Sequence, residues 1–232
     1  MTKSYKCIFF DLDHTLWDYE SNSEESLLEL YQLYKLETLG AVPFPAFYQN
    51  FVRINNHIWD QYDRGEIGRE VIRNDRFNRV FQQSGVNNYD LSLAFSADYI
   101  RESPKKSKLV PHAKEVLDYL KPRYPLFIIT NGFEEIQGTK LQASGITHYF
   151  ESVVTSARAG HKKPAKEIFE FALNQNGFRA EDTIMIGDNL LTDIAGARNA
   201  SIDHVFFNPN KLEHNTTVDF EIHSLKELTT ML

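Results

Sequence analysis

Short apolar runs punctuate the chain at residues 5–10, 126–130, 152–155, 183–186 and 204–207. Most are rich in β-branched or aromatic residues and end at glycine or a polar residue, a pattern that predicts strands. Helical patterns fill the intervals at residues 111–120, 134–144, 164–176 and 191–199. Strands alternating with helices predict an α/β core, a parallel sheet covered on both faces.

Residues 18–104 break that rhythm, with no convincing strand and with helical patterns at 24–39, 44–64, 69–84 and 91–101. Phe47, Phe51, Ile54, Ile58 and Tyr62 recur at helical spacing. The expectation is an inserted α-helical domain over 18–104, splitting the α/β core into 1–17 and 105–232. The charged, proline-bearing segment 102–108 reads as the return linker.

Composition narrows the field. A chain of 232 residues, 42% hydrophobic and 25% charged, is long and apolar enough for a core domain with a smaller second one. A net charge of -7 disfavours nucleic-acid polymers as partners. A small anionic substrate remains compatible, because one metal ion and one lysine reverse the local field. No apolar run reaches the length of a membrane span, and the first residues lack the apolar stretch of a signal peptide. The one cysteine, Cys7, sits in a strand pattern and reads as a small core hydrophobe. A cytoplasmic enzyme without a membrane partner is the expectation.

Candidate chemistry gathers where strands end. Asp11 and Asp13 follow the first strand directly, and open α/β sheets bind ligands at that carboxyl edge. Two carboxylates so close repel unless one is protonated or a cation such as magnesium lies between them. Thr130, Asn131 and Gly132 end the second strand, where a hydroxyl and backbone N–H groups suit phosphate oxygens. Lys163 directly precedes Pro164, read as the first turn of a helix, and is placed to neutralise an anion at the positive end of the helix dipole. Asp188 ends the strand at 183–186, and Asp193 follows near the start of a helix. Each signal has an ordinary structural explanation. Their order, each after a strand of one sheet, brings all of them to one edge.

With these four motifs in place, the chain resembles the haloacid dehalogenase-like hydrolases, a Rossmann-like core with a helical cap inserted after the first motif. The resemblance implies Asp11 as nucleophile, Asp13 as general acid/base, Thr130 as the hydroxyl of the second motif and Lys163 as the lysine of the third. It implies Mg²⁺ held by the Asp11 and Asp188 carboxylates and the Asp13 backbone carbonyl, with Asp193 in support. An alcohol leaving group needs an acid where a halide does not, so Asp13 favours phosphate esters over dehalogenation.

The stretch 54–67 of the cap, and the Thr130 to Phe133 turn, are similar to the pyrimidine 5′-nucleotidase branch. That likeness implies nucleoside 5′-monophosphates as substrates, with Trp17 and Trp59 as candidates to stack on a base. The alternatives are a sugar-phosphate or phosphoglycolate phosphatase, a phosphomutase, and, from another class, a magnesium-binding interaction protein without catalysis.

Overall fold

Side chains along β1 (Cys7–Phe10) alternate between two apolar layers, and every one of its residues is buried. Ile8 and Phe10 pack with Leu117, Leu120, Leu225 and Leu228 on one face. Cys7 and Phe9 pack with Ile168, Phe169 and Ala197 on the other. A strand covered on both faces can only be central, which accounts for its continuous hydrophobic run. In this computed structural model, which describes residues 4–232, β1 lies at the middle of a six-stranded parallel sheet. The other strands are β2 (Leu126–Thr130), β3 (Phe150–Thr155), β4 (Thr183–Gly187), β5 (Asp203–Phe207) and β6 (Phe220–Ile222). Their order is β3-β2-β1-β4-β5-β6. That order reverses between β1 and β4, the switch point at which open doubly wound sheets bind ligands. Phe10 pairs with Ile128 of β2 and Ile186 of β4, so the ends of these three strands lie level.

The chain divides into two compact units: an α/β unit of residues 1–19 and 107–232, and a helical unit, Glu20–Lys106. The helical unit is built from α1 (Tyr19–Leu33), whose first residue belongs to the α/β unit, α2 (Phe44–Asp63), α3 (Arg69–Asn74), α4 (Arg76–Gln83) and α5 (Tyr89–Glu102). Its interior is aromatic. Phe95 meets Phe77 at 4.9 Å and Phe81 at 5.2 Å, and Phe51 stacks on Phe77 at 5.7 Å. The Asn88 side chain caps α5 by accepting from the Leu91 N–H.

In the α/β unit the sheet is flanked by α6 (Ala113–Leu120), α7 (Glu134–Ala143), α8 (Ser156–Ala159), α9 (Lys166–Asn176), α10 (Ala195–Asn199) and α11 (Leu228–Met231). The chain leaves and re-enters this unit along adjacent paths, with Asp18 N–H donating to Lys108 O and Val110 N–H to Leu16 O. Cys7 is buried as a free thiol 3.1 Å from the Thr183 hydroxyl, and burial pushes its pKa up to about 11.

The structure corrects several expected elements. The helical pattern at 69–84 is two helices, broken at Asp75. That at 24–39 ends at Leu33, because Lys35 takes a left-handed conformation with φ 49°, and a short 3₁₀ turn follows. The pattern at 191–199 opens as a π-type turn over Leu190–Ile194 before α10 begins. Pro164 does not occupy the first turn of its helix, since α9 starts at Lys166 after a cis Lys163–Pro164 peptide. Lys163 therefore stands ahead of the helix, and its ammonium is held by the Asp11 and Asp193 carboxylates and the Ile129 carbonyl.

Candidate active site

The chain leaves β1 at Asp11, whose N–H donates to Ile186 O of β4, tying the carboxylate to the centre of the sheet edge. Lys163 reaches it from the segment before α9. The Lys163 ammonium lies 2.5 Å from Asp11 Oδ1 and 2.5 Å from Asp193 Oδ1, and it donates to Ile129 O at 2.9 Å. Its side chain is 2% exposed. A lysine this deep is held charged only by close carboxylates. Burial lowers its pKa, the Asp11 and Asp193 charges outweigh that effect, and the net shift is upward.

The backbone around Lys163 is fixed in turn by Asn131. The Asn131 Oδ1 accepts from Lys163 N–H at 2.8 Å, and its Nδ2 donates to Lys163 O at 3.0 Å. The side chain at the end of β2 therefore clamps the lysine's own peptide groups. In the same turn, Thr130 Oγ1 accepts from Gly132 N–H at 3.0 Å. A Cβ at Gly132 would stand 2.1 Å from the Gln137 amide, so the turn admits only glycine without displacing that side chain.

From β4, Asp188 Oδ1 accepts from the buried Thr15 hydroxyl at 3.0 Å. Asp193 Oδ2 accepts from Asn189 N–H at 3.0 Å, while the Asn189 side chain caps the following turn through Leu191 N–H and Thr192 N–H. Gly187 lets this loop close: a Cβ there would lie 2.3–2.5 Å from the Asp193 side chain.

Asp11, Asp188 and Asp193 each present a ligand atom within 4.8 Å of the others. Three carboxylates with one ammonium among them leave excess negative charge in a buried setting. The pKa of Asp11 accordingly stands well above the carboxylate range, first from burial and then from Asp193 and Asp188, with Lys163 opposing. Asp188 is pushed up to about 6, again chiefly by burial, with the His14 charge acting the other way. A compact hard cation fits this set of oxygen donors and relieves that repulsion.

The structure thus brings Asp11, Lys163, Asp188 and Asp193 into contact range, with Thr130, Asn131 and Gly132 on the neighbouring strand end. The Asp13 carboxylate stands apart from this cluster, 2.5 Å from the Lys140 ammonium of α7. Trp17 cannot offer a ring face to a base. It is fully buried in the core of the α/β unit, and the Lys140 ammonium lies 4.4 Å from its ring. Trp59 belongs to the helical unit on α2, half-buried, with Tyr62 edge-on at 5.5 Å. Sequence reasoning missed Lys140, Thr15 and Asn189. Asn189 had a readable signal, an asparagine ahead of a helical turn, whereas Lys140 meets its partner across 127 positions.

Residues 5–201 match the family model described as haloacid dehalogenase-like hydrolase. The chain belongs to that family, and it is an enzyme of the family's phosphatase kind. It is 32% identical to the pyrimidine 5′-nucleotidase PynA of Streptococcus pneumoniae, over 98% of this chain and 95% of that one. It is 30% identical to the ribulose-1,5-bisphosphate 5-phosphatase of Halopiger xanaduensis, over 97% and 98%. Among solved structures it resembles the magnesium-bound putative HAD-hydrolase YfnB of Bacillus subtilis, with a TM-score of 0.88, 26% identity and 99% of each chain covered. Among the described residues, no helix is long and apolar enough to cross a membrane.

Proposed function

We propose that the protein is a Mg²⁺-dependent phosphomonoesterase that acts through a phospho-Asp11 intermediate, with pyrimidine nucleoside 5′-monophosphates as its substrates. The observation that carries the chemistry is the Asp11 carboxylate at the switch point, ion-paired to a buried lysine. A carboxylate so held is fixed in direction for in-line attack on phosphorus. In this reading the leaving alcohol takes a proton from Asp13, which later draws one from the water that hydrolyses the acyl phosphate. Lys163, the Thr130 hydroxyl and the backbone N–H groups of the Asn131-Gly132 turn stabilise the charge developing on the phosphoryl oxygens. Asp11, Asp188 and the Asp13 carbonyl would hold Mg²⁺, with Asp193 in support, and the ion would supply Lewis-acid stabilisation of the same charge.

The substrate class rests on the likeness to the S. pneumoniae nucleotidase along nearly the whole chain. The likeness to a sugar bisphosphate phosphatase at nearly the same identity supports a sugar phosphate as the second reading. A cytoplasmic location suits either class of small metabolite.

The test is phosphate release with Mg²⁺ or EDTA from UMP, dUMP, dTMP, AMP, GMP, glucose phosphates, ribulose 1,5-bisphosphate and phosphoglycolate. Preference for pyrimidine monophosphates is the expected result. Preference for a sugar phosphate would keep the mechanism and replace the substrate. Asp11→Asn, checked by mass spectrometry for deamidation, is expected to lose at least about 1,000-fold in kcat. Turnover near that of the unaltered chain would overturn the nucleophile.

A further inference from the structure

Lys140 has no part in the phosphoryl chemistry above, yet its setting is not that of a surface lysine. It stands in the last turn of α7, with its side chain 7% exposed. Its ammonium is 2.5 Å from Asp13 Oδ1. It also lies 4.4 Å from the Trp17 ring centroid and 5.8 Å from that of Tyr19. Lysine tails ordinarily carry about 2 kcal/mol of rotamer entropy. Here a buried indole on one side and a carboxylate on the other restrict that freedom.

The consequence falls on Asp13. Its carboxylate is 22% exposed and sits on the loop after β1, where a free aspartate would rotate about its side-chain bonds. Lys140 takes Oδ1, while Oδ2 accepts no hydrogen bond among the described residues. One oxygen is anchored and the other is left available.

We propose that Lys140 is a positioning residue for Asp13, fixing Oδ1 so that Oδ2 is the oxygen that serves the ester leaving group. The inference rests on the reading of Asp13 as the acid/base. In that step Asp11 forms its bond to phosphorus and the ester P–O bond breaks. The proton on Asp13 Oδ2 passes to the departing oxygen, giving an alcohol and an Asp13 carboxylate. The Lys140 ammonium keeps its protons throughout and remains paired to Oδ1.

Leaving-group dependence separates this role from a structural one. An alkoxide needs the proton, whereas p-nitrophenolate leaves without it. The experiment compares kcat and KM of the full-length chain, Lys140→Met and Lys140→Arg, with Mg²⁺ present. The probes are p-nitrophenyl phosphate and the alkyl phosphate that the unaltered chain turns over fastest. Lys140→Met is expected to lose about 10- to 100-fold in kcat/KM on the alkyl ester, since kcat/KM reports the steps up to phospho-Asp11. On the nitrophenyl ester kcat/KM should change by less than about threefold, because forming phospho-Asp11 requires no acid there. Lys140→Arg should recover much of the loss.

The ratio of the two kcat/KM values within one variant does not depend on how much of the preparation is folded. An equal loss of kcat/KM on both esters, or no loss on either, would overturn the proposal. Inactivity of the unaltered chain toward every phosphate ester would instead overturn the function on which it rests.

Discussion

The two units bury charge in opposite ways. At the sheet edge of the α/β unit, a buried lysine is gripped by Asp11 and Asp193, and a third carboxylate lies close by. In the helical unit the buried cation is Arg76, 4% exposed, and no carboxylate pairs with it among the described residues. Its guanidinium donates to Asn55 Oδ1 at 3.0 Å and lies 5.0–5.8 Å from the rings of Phe77, Tyr99 and Phe51. One region spends stability on holding like charges together where a reaction needs them. The other uses ring faces to accommodate a charge that packs as part of the core. Burial of an ionised group therefore marks a reactive site only where the partners are themselves strained.

That contrast can be broken by removing each cation. Lys163→Met leaves Asp11 and Asp193 facing each other without a counter-charge. It is expected to cost about 3–5 kcal/mol in urea unfolding without Mg²⁺. Arg76→Met keeps an unbranched apolar stem, shorter than that of arginine, and removes no ion-pair partner. Its expected change is within about 1 kcal/mol in either direction. Comparable losses in the two variants would show that the rings around Arg76 do more than pack.

The pH dependence of stability sharpens the same comparison. Asp188 ionises at about 6 in the folded chain against a reference of 3.8. Between those values the folded state binds the extra proton, so this group's contribution is present at low pH and is lost as pH rises through about 6. Thermal unfolding in EDTA should show a decline across that window. Added Mg²⁺ should raise Tm more at pH 7 than at pH 5, because it binds the ionised carboxylates. An equal rise at both pH values would detach the acidic cluster from the metal.

The smallest expected effect lies away from the site. Ser201 holds φ 58° after α10, a conformation that costs a non-glycine residue about 1–2 kcal/mol. Ser201→Gly relieves that strain against roughly 0.5–1 kcal/mol of added chain entropy. The net gain should be up to about 1 kcal/mol in urea, with kcat unchanged.

Strand ends followed by polar residues were legible because β1, β2 and β4 are buried on both faces and read as continuous apolar runs. The motif residues sit at the strand ends or one residue beyond them, so finding the strands also located Asp11, Thr130 and Asp188. β6 was not legible. Phe220 and Glu221 are exposed and only Ile222 is buried, so an edge strand of three residues leaves no run to find. The break at Asp75 was hidden because helical spacing continues across it. Trp17 illustrates the opposite failure: a tryptophan next to candidate catalytic residues reads as a ligand platform, yet this one fills the core beneath them. The Lys140–Asp13 pair lay beyond reach because no local pattern reports a partner 127 residues away.

The central position of β1 also bears on how the protein emerges from the ribosome. Its first strand must wait for both neighbours, and Cys7 meets Thr183 only after 176 further positions have been synthesised. The helical unit is contiguous and is complete in the nascent chain before either neighbour has appeared. Asp11 therefore lacks Lys163 until 152 further positions have been synthesised, and the reactive cluster can assemble only after the helical unit is complete in the nascent chain.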